Sequence, residues 1–251
     1  MKMIVGNSWF FRRLMFWIRA FLGTANAKET YMAQKFNSTI VDSPWFKYRS
    51  ISPGGFAVDY HFFYTLYRTL SAVKPKNILE FGLGQTSKMV HQYASYYDKR
   101  AVSVEHDKDW ISFFDEERDG DYPIHTKLFE LETIKYNGYD TSVYKGSLDY
   151  FKGRGERFDF FLVDGPLRRN PVTQKEYKYV RAQIVDFVNY CLDDNFVILF
   201  DDYNYEGVRN TVNEVFKCLD KLGVNYVYRI YYSSKAHIII TTPKHKFLTS
   251  L

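Results

Sequence analysis

Apolar runs a few residues long alternate along this chain with stretches whose apolar positions recur every three or four residues. The runs Asn77–Phe81 (N-I-L-E-F), Arg100–Glu105 (R-A-V-S-V-E), Phe158–Val163 (F-D-F-F-L-V) and Phe196–Phe200 (F-V-I-L-F) read as strands. The last two are of the kind buried on both faces. Alternation over Ile124–Leu131 predicts a further strand. Val58, Phe62, Leu66 and Leu70 fall at helical spacing and predict a helix over Phe56–Val73, packed just ahead of the first strand. Other helices are expected from Thr86 to Tyr93, from about Lys108, near Ser147–Phe151, over Lys175–Tyr190 and over Gly207–Leu222, with a short one around Lys28–Phe36. The segment Lys135–Lys145, rich in Tyr and Gly, reads as a loop. The closing runs Asn225–Tyr232 and Ala236–Thr241 are joined only by Ser233-Ser234-Lys235, too short for a helical crossover, so they must pair antiparallel. The expected architecture is α/β: a mostly parallel sheet with a C-terminal antiparallel strand and helices on both faces. Residues 1–55 form a helical N-terminal extension and 56–251 the main domain.

Composition narrows the function classes. Lys and Arg number 34 against 29 Asp and Glu, a balance of +5 that is too slight to argue nucleic-acid binding. The 22 Tyr and 22 Phe fill a core or line a flat polar-substrate surface. Cys191 and Cys218 lack metal-ligand spacing and read as buried thiols of a reducing, cytoplasmic compartment. Trp9–Leu22 is dense in aromatics, but Arg12, Arg13 and Arg19 interrupt it, so it is neither a spanning helix nor a secretory signal. An amphipathic helix there would lie on a membrane surface, cover a partner, or pack on its own domain.

Chemistry collects at strand ends. Glu80 is followed by Gly82 and Gly84 in E-F-G-L-G, and the helix opening at Thr86 and Ser87 offers free N–H groups. Glu105 closes the second strand, Asp164 stands at the end of Phe158–Val163 in D-G-P, and Asp201 and Asp202 end Phe196–Phe200. In open α/β sheets ligands bind beyond the carboxyl ends of the strands, where an acidic second strand accepts bonds from ribose hydroxyls. Glu105, His106, Asp107 and Asp109 otherwise serve as caps for the next helix. His61 reads as a packed histidine. Like charges gathered on one rim are tolerable when solvated or when they face a cation or a donor-rich ligand.

These motifs, in this order from about Asp59 to Thr242, resemble the class I S-adenosylmethionine-dependent methyltransferases, whose fold is Rossmann-like. Together F-G-L-G, E-H-D-x-x-W-I and V-D-G-P look most like the polysaccharide-directed group that includes glucuronoxylan O-methyltransferases. The resemblance implies an O-methyltransferase acting on a sugar or related hydroxyl. Gly82 and Gly84 would make room for the methionine part of S-adenosylmethionine, beside Thr86 and Ser87, with Glu80 near its ammonium group. Glu105 would hold the ribose, His106 would lie near the adenine, and Asp164 beside the sulfonium methyl. Asp164, Asp201 and Asp202 match the trio that holds Mg²⁺ or Mn²⁺ in catechol-type relatives, where the cation lowers a hydroxyl's pKa. The lysine those enzymes carry after the first aspartate is absent, and Leu167, Arg168 and Arg169 stand there. Asp164, Asp201 and Arg168 are therefore the catalytic candidates, and Arg168 and Arg169 either pair with an acidic acceptor or stay solvated. A nicotinamide-dependent oxidoreductase shares the glycine elbow and acidic strand, but Ser87 replaces its third glycine. A catalytically silent interaction subunit of the same fold is the other alternative.

Overall fold

A computed structural model describes residues 24–251 apart from positions 56 and 118. Trp9–Leu22 lies outside them. Seven strands form one sheet: β1 (Asn77–Phe81), β2 (Arg100–Glu105), β3 (Thr126–Leu128), β6 (Phe158–Val163), β7 (Leu192–Phe200), β8 (Val227–Tyr232) and β9 (Ala236–Thr241), in the spatial order β3-β2-β1-β6-β7-β9-β8. Strand β1 pairs in parallel with β2 on one side and β6 on the other, so the order reverses between β1 and β6. Strand β9 runs antiparallel to both β7 and β8, which places the reversed strand one in from the sheet's edge. The fold is the Rossmann-like, mostly parallel arrangement expected.

Period-two alternation assigns side chains to the two faces. Ile78, Phe160, Leu162, Val197 and Leu199 point into one core with helices α1 (Thr24–Ile40), α2 (Tyr60–Val73) and α3 (Gln85–Tyr97). Leu79, Phe81, Phe161, Val163, Ile198 and Phe200 point into the other, against α6 (Ile184–Cys191) and α7 (Glu206–Lys221). All of these strand residues are at 0% exposure, so both faces are sealed. Each such side chain contributes about 1.5–3 kcal/mol on burial. The remaining helices are α4 (Lys108–Glu116) and α5 (Ser147–Lys152).

Helix α1 runs further than the short helix expected, because Met32, Phe36 and Ile40 recur every four residues and bury against α2. The Phe36 ring lies 5.9 Å from that of Phe63, and Trp45 stacks on Tyr67 at 4.9 Å. Much of the aromatic surplus is therefore core.

Two expectations fail locally. Residues 135–145 are largely not a loop: β4 (Leu131–Tyr136) and β5 (Tyr139–Tyr144) form a separate antiparallel hairpin. Asn137 and Gly138, with φ of 48° and 80°, make the left-handed two-residue turn that an Asn-Gly pair favours. The helix expected over Lys175–Tyr190 starts only at Ile184, because Gln174 and Arg181 take φ of 56° and 63°, incompatible with a continuous right-handed helix.

Candidate active site

The turns after β1 and β6 meet back to back. Gly82 takes φ 96° and donates its N–H to Val104 O, and a Cβ there would press on the Gly165 nitrogen at 3.1 Å. Gly165 is tighter still: a Cβ there would collide with the Tyr144 hydroxyl and come within 2.9 Å of the Gly82 nitrogen. Gly165→Ala should therefore cost about 1–3 kcal/mol of stability in urea unfolding, and a wild-type midpoint would show that the turns tolerate separation.

These turns border a cavity of about 700 Å³ lined by Gly82, Leu83, Glu105, His106, Tyr144 and the segment from Asp164 to Pro171, and closed by Arg181, Asp202, Tyr205 and Lys235. A smaller recess of about 250 Å³, walled by Gly84, Gln85, Thr86 and Trp110, shares Leu83 and Asp164 with it. Asp164 thus borders both spaces.

Glu105 lines the larger cavity at 6% exposure. Its Oε2 accepts from Leu83 N–H at 3.0 Å, its Oε1 accepts from His106 N–H at 2.6 Å and Asp107 N–H at 3.1 Å, and His106 Nδ1 lies 2.6 Å from Oε1. Burial raises its pKa, but the His106 side chain and these N–H groups outweigh burial and hold it below the usual carboxylate value. The contact with Glu105 in turn raises His106. A fixed anion therefore stands at the end of β2. Asp107 is the residue that caps α4, accepting from Asp109 and Trp110 N–H.

Glu80 is fully buried and borders neither space. Thr86 Oγ1 donates to its Oε1 at 2.6 Å and Ser103 Oγ to its Oε2 at 2.5 Å, so it ties β1 to β2 and α3. Ser87, also buried, accepts the Gly84 N–H at 2.9 Å and closes the elbow. Burial lifts Glu80 from its ordinary 4.5 to about 7. Because the folded value lies above the unfolded one, its neutral form favours folding; that contribution is complete below pH 4.5 and is lost as pH rises to about 7. Glu80→Gln should flatten stability across that window in urea midpoints taken at a series of pH values, and an unchanged slope would contradict this. His61 is packed as expected, buried edge-on to His237.

The three aspartates converge, with one oxygen of each within 4.8 Å of the others. Arg181, a residue with no motif to mark it, crosses this cluster. At 4% side-chain exposure its Nη2 donates to Asp164 Oδ1 at 3.0 Å and Asp202 Oδ2 at 2.9 Å, while Nη1 donates to Asp201 O at 3.0 Å and Val163 O at 3.3 Å. Lys235 Nζ stands 3.8 Å from Asp201 and 3.9 Å from Asp202. Asp201 is 1% exposed, does not line the cavity, and has no hydrogen-bond partner on either carboxylate oxygen. Burial first, then Asp164 and Asp202, push it well above the usual carboxylate range. Burial also raises Asp164, partly offset by Arg181.

These residues do not fit a divalent cation held by all three acids against an acceptor. Asp164 and Asp202 already give an oxygen each to Arg181, and Asp201, buried beside them, does not line the cavity where an acceptor would sit. Arg168 and Arg169 line the cavity, and both donate to Glu176 Oε1, at 3.1 and 3.2 Å, with the Arg168 guanidinium 3.6 Å over the Tyr205 ring. Sequence reading missed Arg181 and Lys235: the first falls in a stretch of helical spacing, the second in the three-residue link between β8 and β9.

No family model matches the chain, and no curated protein matches it. Solved structures share parts of the arrangement at low identity. A spermidine synthase in complex with the transition-state analogue AdoDATO is 14% identical, with a TM-score of 0.42 over 74% of this chain and 62% of its own. This chain therefore spans about three fifths of that protein. An S-adenosylhomocysteine-bound methyltransferase of Podospora anserina is 14% identical, with a TM-score of 0.39 over 96% of this chain and 98% of its own. A precorrin-6y C5,15-methyltransferase of Geobacter metallireducens is 11% identical, with a TM-score of 0.44 over 77% and 94%.

Proposed function

We propose that the chain is an S-adenosylmethionine-dependent O-methyltransferase of the cytoplasm, acting on a hydroxyl of a sugar, polysaccharide precursor or related small molecule. One observation carries the reading: two carboxylates, Glu105 and Asp164, border one cavity from the strands on either side of β1, where the strand order reverses. Glu105, held ionised by its donors, would accept the hydroxyls of a ribose, with His106 Nδ1 giving up its contact on Oε1. The recess at Gly84, Gln85 and Thr86 suits the amino-acid end of the cofactor, and His106 borders the side where adenine would lie.

When bound, the cofactor supplies a methyl group on a sulfonium, an electrophile needing only an oriented oxygen. Asp164 borders both spaces and, with its pKa raised, is suited to take the acceptor's proton. Aligning the acceptor beside the donor contributes the larger share of the rate. Arg168, Arg169 and Tyr205 form the wall on the acceptor side. No described helix is long and apolar enough to cross a membrane; contact with a membrane surface or partner through Trp9–Leu22 belongs to the same proposal. The test is transfer of labelled methyl from S-adenosylmethionine to a panel of free sugars, oligosaccharides and phenols. Label in a hydroxyl acceptor is expected, whereas NAD binding without methyl-donor binding would favour hydride transfer instead.

A further inference from the structure

The acid cluster at the ends of β6 and β7 comes with its own cations, delivered from two distant parts of the chain. Arg181 fills the notch between those strands, bonded at once to the carbonyls of Val163 and Asp201 and to the carboxylates of Asp164 and Asp202. Lys235 arrives from the β8–β9 turn and lines the same cavity at 20% side-chain exposure. Its Nζ donates to Ala57 O at 2.7 Å, while Asp201 and Asp202 lie beyond hydrogen-bond reach. One ammonium proton is thus committed to Ala57 O, and the group, ion-paired with both acids, keeps donor capacity at the cavity wall.

The turn that carries Lys235 is anchored by two carboxylates from the N-terminal part of the chain. Asp59 Oδ2 accepts from Lys235 N–H at 3.0 Å and from Ser234 Oγ at 3.1 Å. Glu29 of α1 accepts from Ser233 Oγ through one oxygen and from Tyr60 N–H through the other. A three-residue link held by two carboxylates is fixed more firmly than joining two strands requires, and what it presents to the cavity is one ammonium group.

We infer, on the methyl-transfer reading above, that Arg181 and Lys235 together take the place a divalent cation would fill: Lys235 is a catalytic donor to the acceptor oxygen, and Arg181 is a positioning residue that aims Asp164. The acceptor's O–H bond breaks and its proton passes to the Asp164 carboxylate. The oxygen forms its bond to the methyl carbon while the carbon–sulfur bond breaks, its electron pair going to sulfur. Lys235 stabilises the negative charge that develops on the oxygen before the new bond is complete. Asp164 then returns the proton to solvent, and no metal enters the balance.

The test uses the full-length protein loaded with S-adenosylhomocysteine and titrated with Mn²⁺, free ion being read by electron paramagnetic resonance. Wild type should leave Mn²⁺ free up to about 1 mM, and Arg181→Met, which releases two acids, should bind it at least about tenfold more tightly. Micromolar Mn²⁺ binding by wild type that Asp202→Asn abolishes would overturn the inference. So would an Arg181→Met protein that holds S-adenosylhomocysteine yet takes up Mn²⁺ no better than wild type. Lys235→Met, on a turn rather than in the core, keeps the test open if Arg181→Met does not fold. In methyl transfer to the hydroxyl panel its kcat should fall about a hundredfold at unchanged KM for S-adenosylmethionine, with partial recovery in Lys235→Arg. Wild-type kcat in Lys235→Met would remove its catalytic role. Failure of wild type to bind S-adenosylhomocysteine would bring down the methyl-transfer reading and this inference together, whereas tight Mn²⁺ beside bound S-adenosylhomocysteine brings down this inference alone.

Discussion

Glu105→Ala is expected to weaken S-adenosylmethionine binding by about a hundredfold or more in titration calorimetry, the largest loss of affinity from any single substitution in this site. Two effects add. The ribose hydroxyls lose a carboxylate acceptor, and hydrogen bonds to a charged group are worth about 1.5–3 kcal/mol each. The Leu83 N–H also loses its partner, and with it the anchor of the loop between Gly82 and Gly84. Glu105→Gln separates the two, because its amide oxygen can still accept from Leu83 while the charge is gone. Affinity within a few fold of wild type in Glu105→Ala would remove Glu105 from the ribose site.

Asp164→Asn is expected to act on turnover instead. Removing a general base costs about a hundred- to ten-thousand-fold in kcat, while S-adenosylmethionine affinity should stay within a few fold, since no part of the ribose site depends on Asp164. The substitution also unbalances the cluster, because Arg181 loses one of its two carboxylate partners. For that reason thermal unfolding belongs beside the kinetics. A folded Asp164→Asn protein with wild-type kcat would reject the base assignment and leave proximity to carry the reaction.

The sheet was legible because its strands are sealed on both faces, and sealed strands are mostly apolar: Phe158–Val163, broken only by Asp159, and Phe196–Phe200 announce themselves. The acids at their ends were legible for the complementary reason, since a carboxylate directly after such a run has no packing role. The β4–β5 hairpin was harder to read. It lies outside the main sheet, with β4 only partly buried and the buried half of β5 including Thr141 and Ser142, so neither strand reads as an apolar run, and only Asn137-Gly138 marked the turn. Arg181 was invisible for a different reason. Its position depends on a left-handed backbone at φ 63°, uncommon for a non-glycine residue, and its side chain is held by four hydrogen bonds across β6 and β7. Lys235 depends likewise on Asp59 and Glu29, residues some 175 and 200 positions away in sequence. Glu80 shows the converse: its place before the glycines was plain, but sequence spacing does not reveal that Thr86 and Ser103 take both its oxygens.

The space between Glu105 and Asp164 is expected to receive a sulfonium methyl donor. A crystal structure of the full chain soaked with S-adenosylhomocysteine tests it most directly. Both ribose hydroxyls are expected on the Glu105 carboxylate, with the sulfur on the Asp164 side of the cavity. A ligand bound elsewhere, or one whose ribose turns away from Glu105, would contradict it.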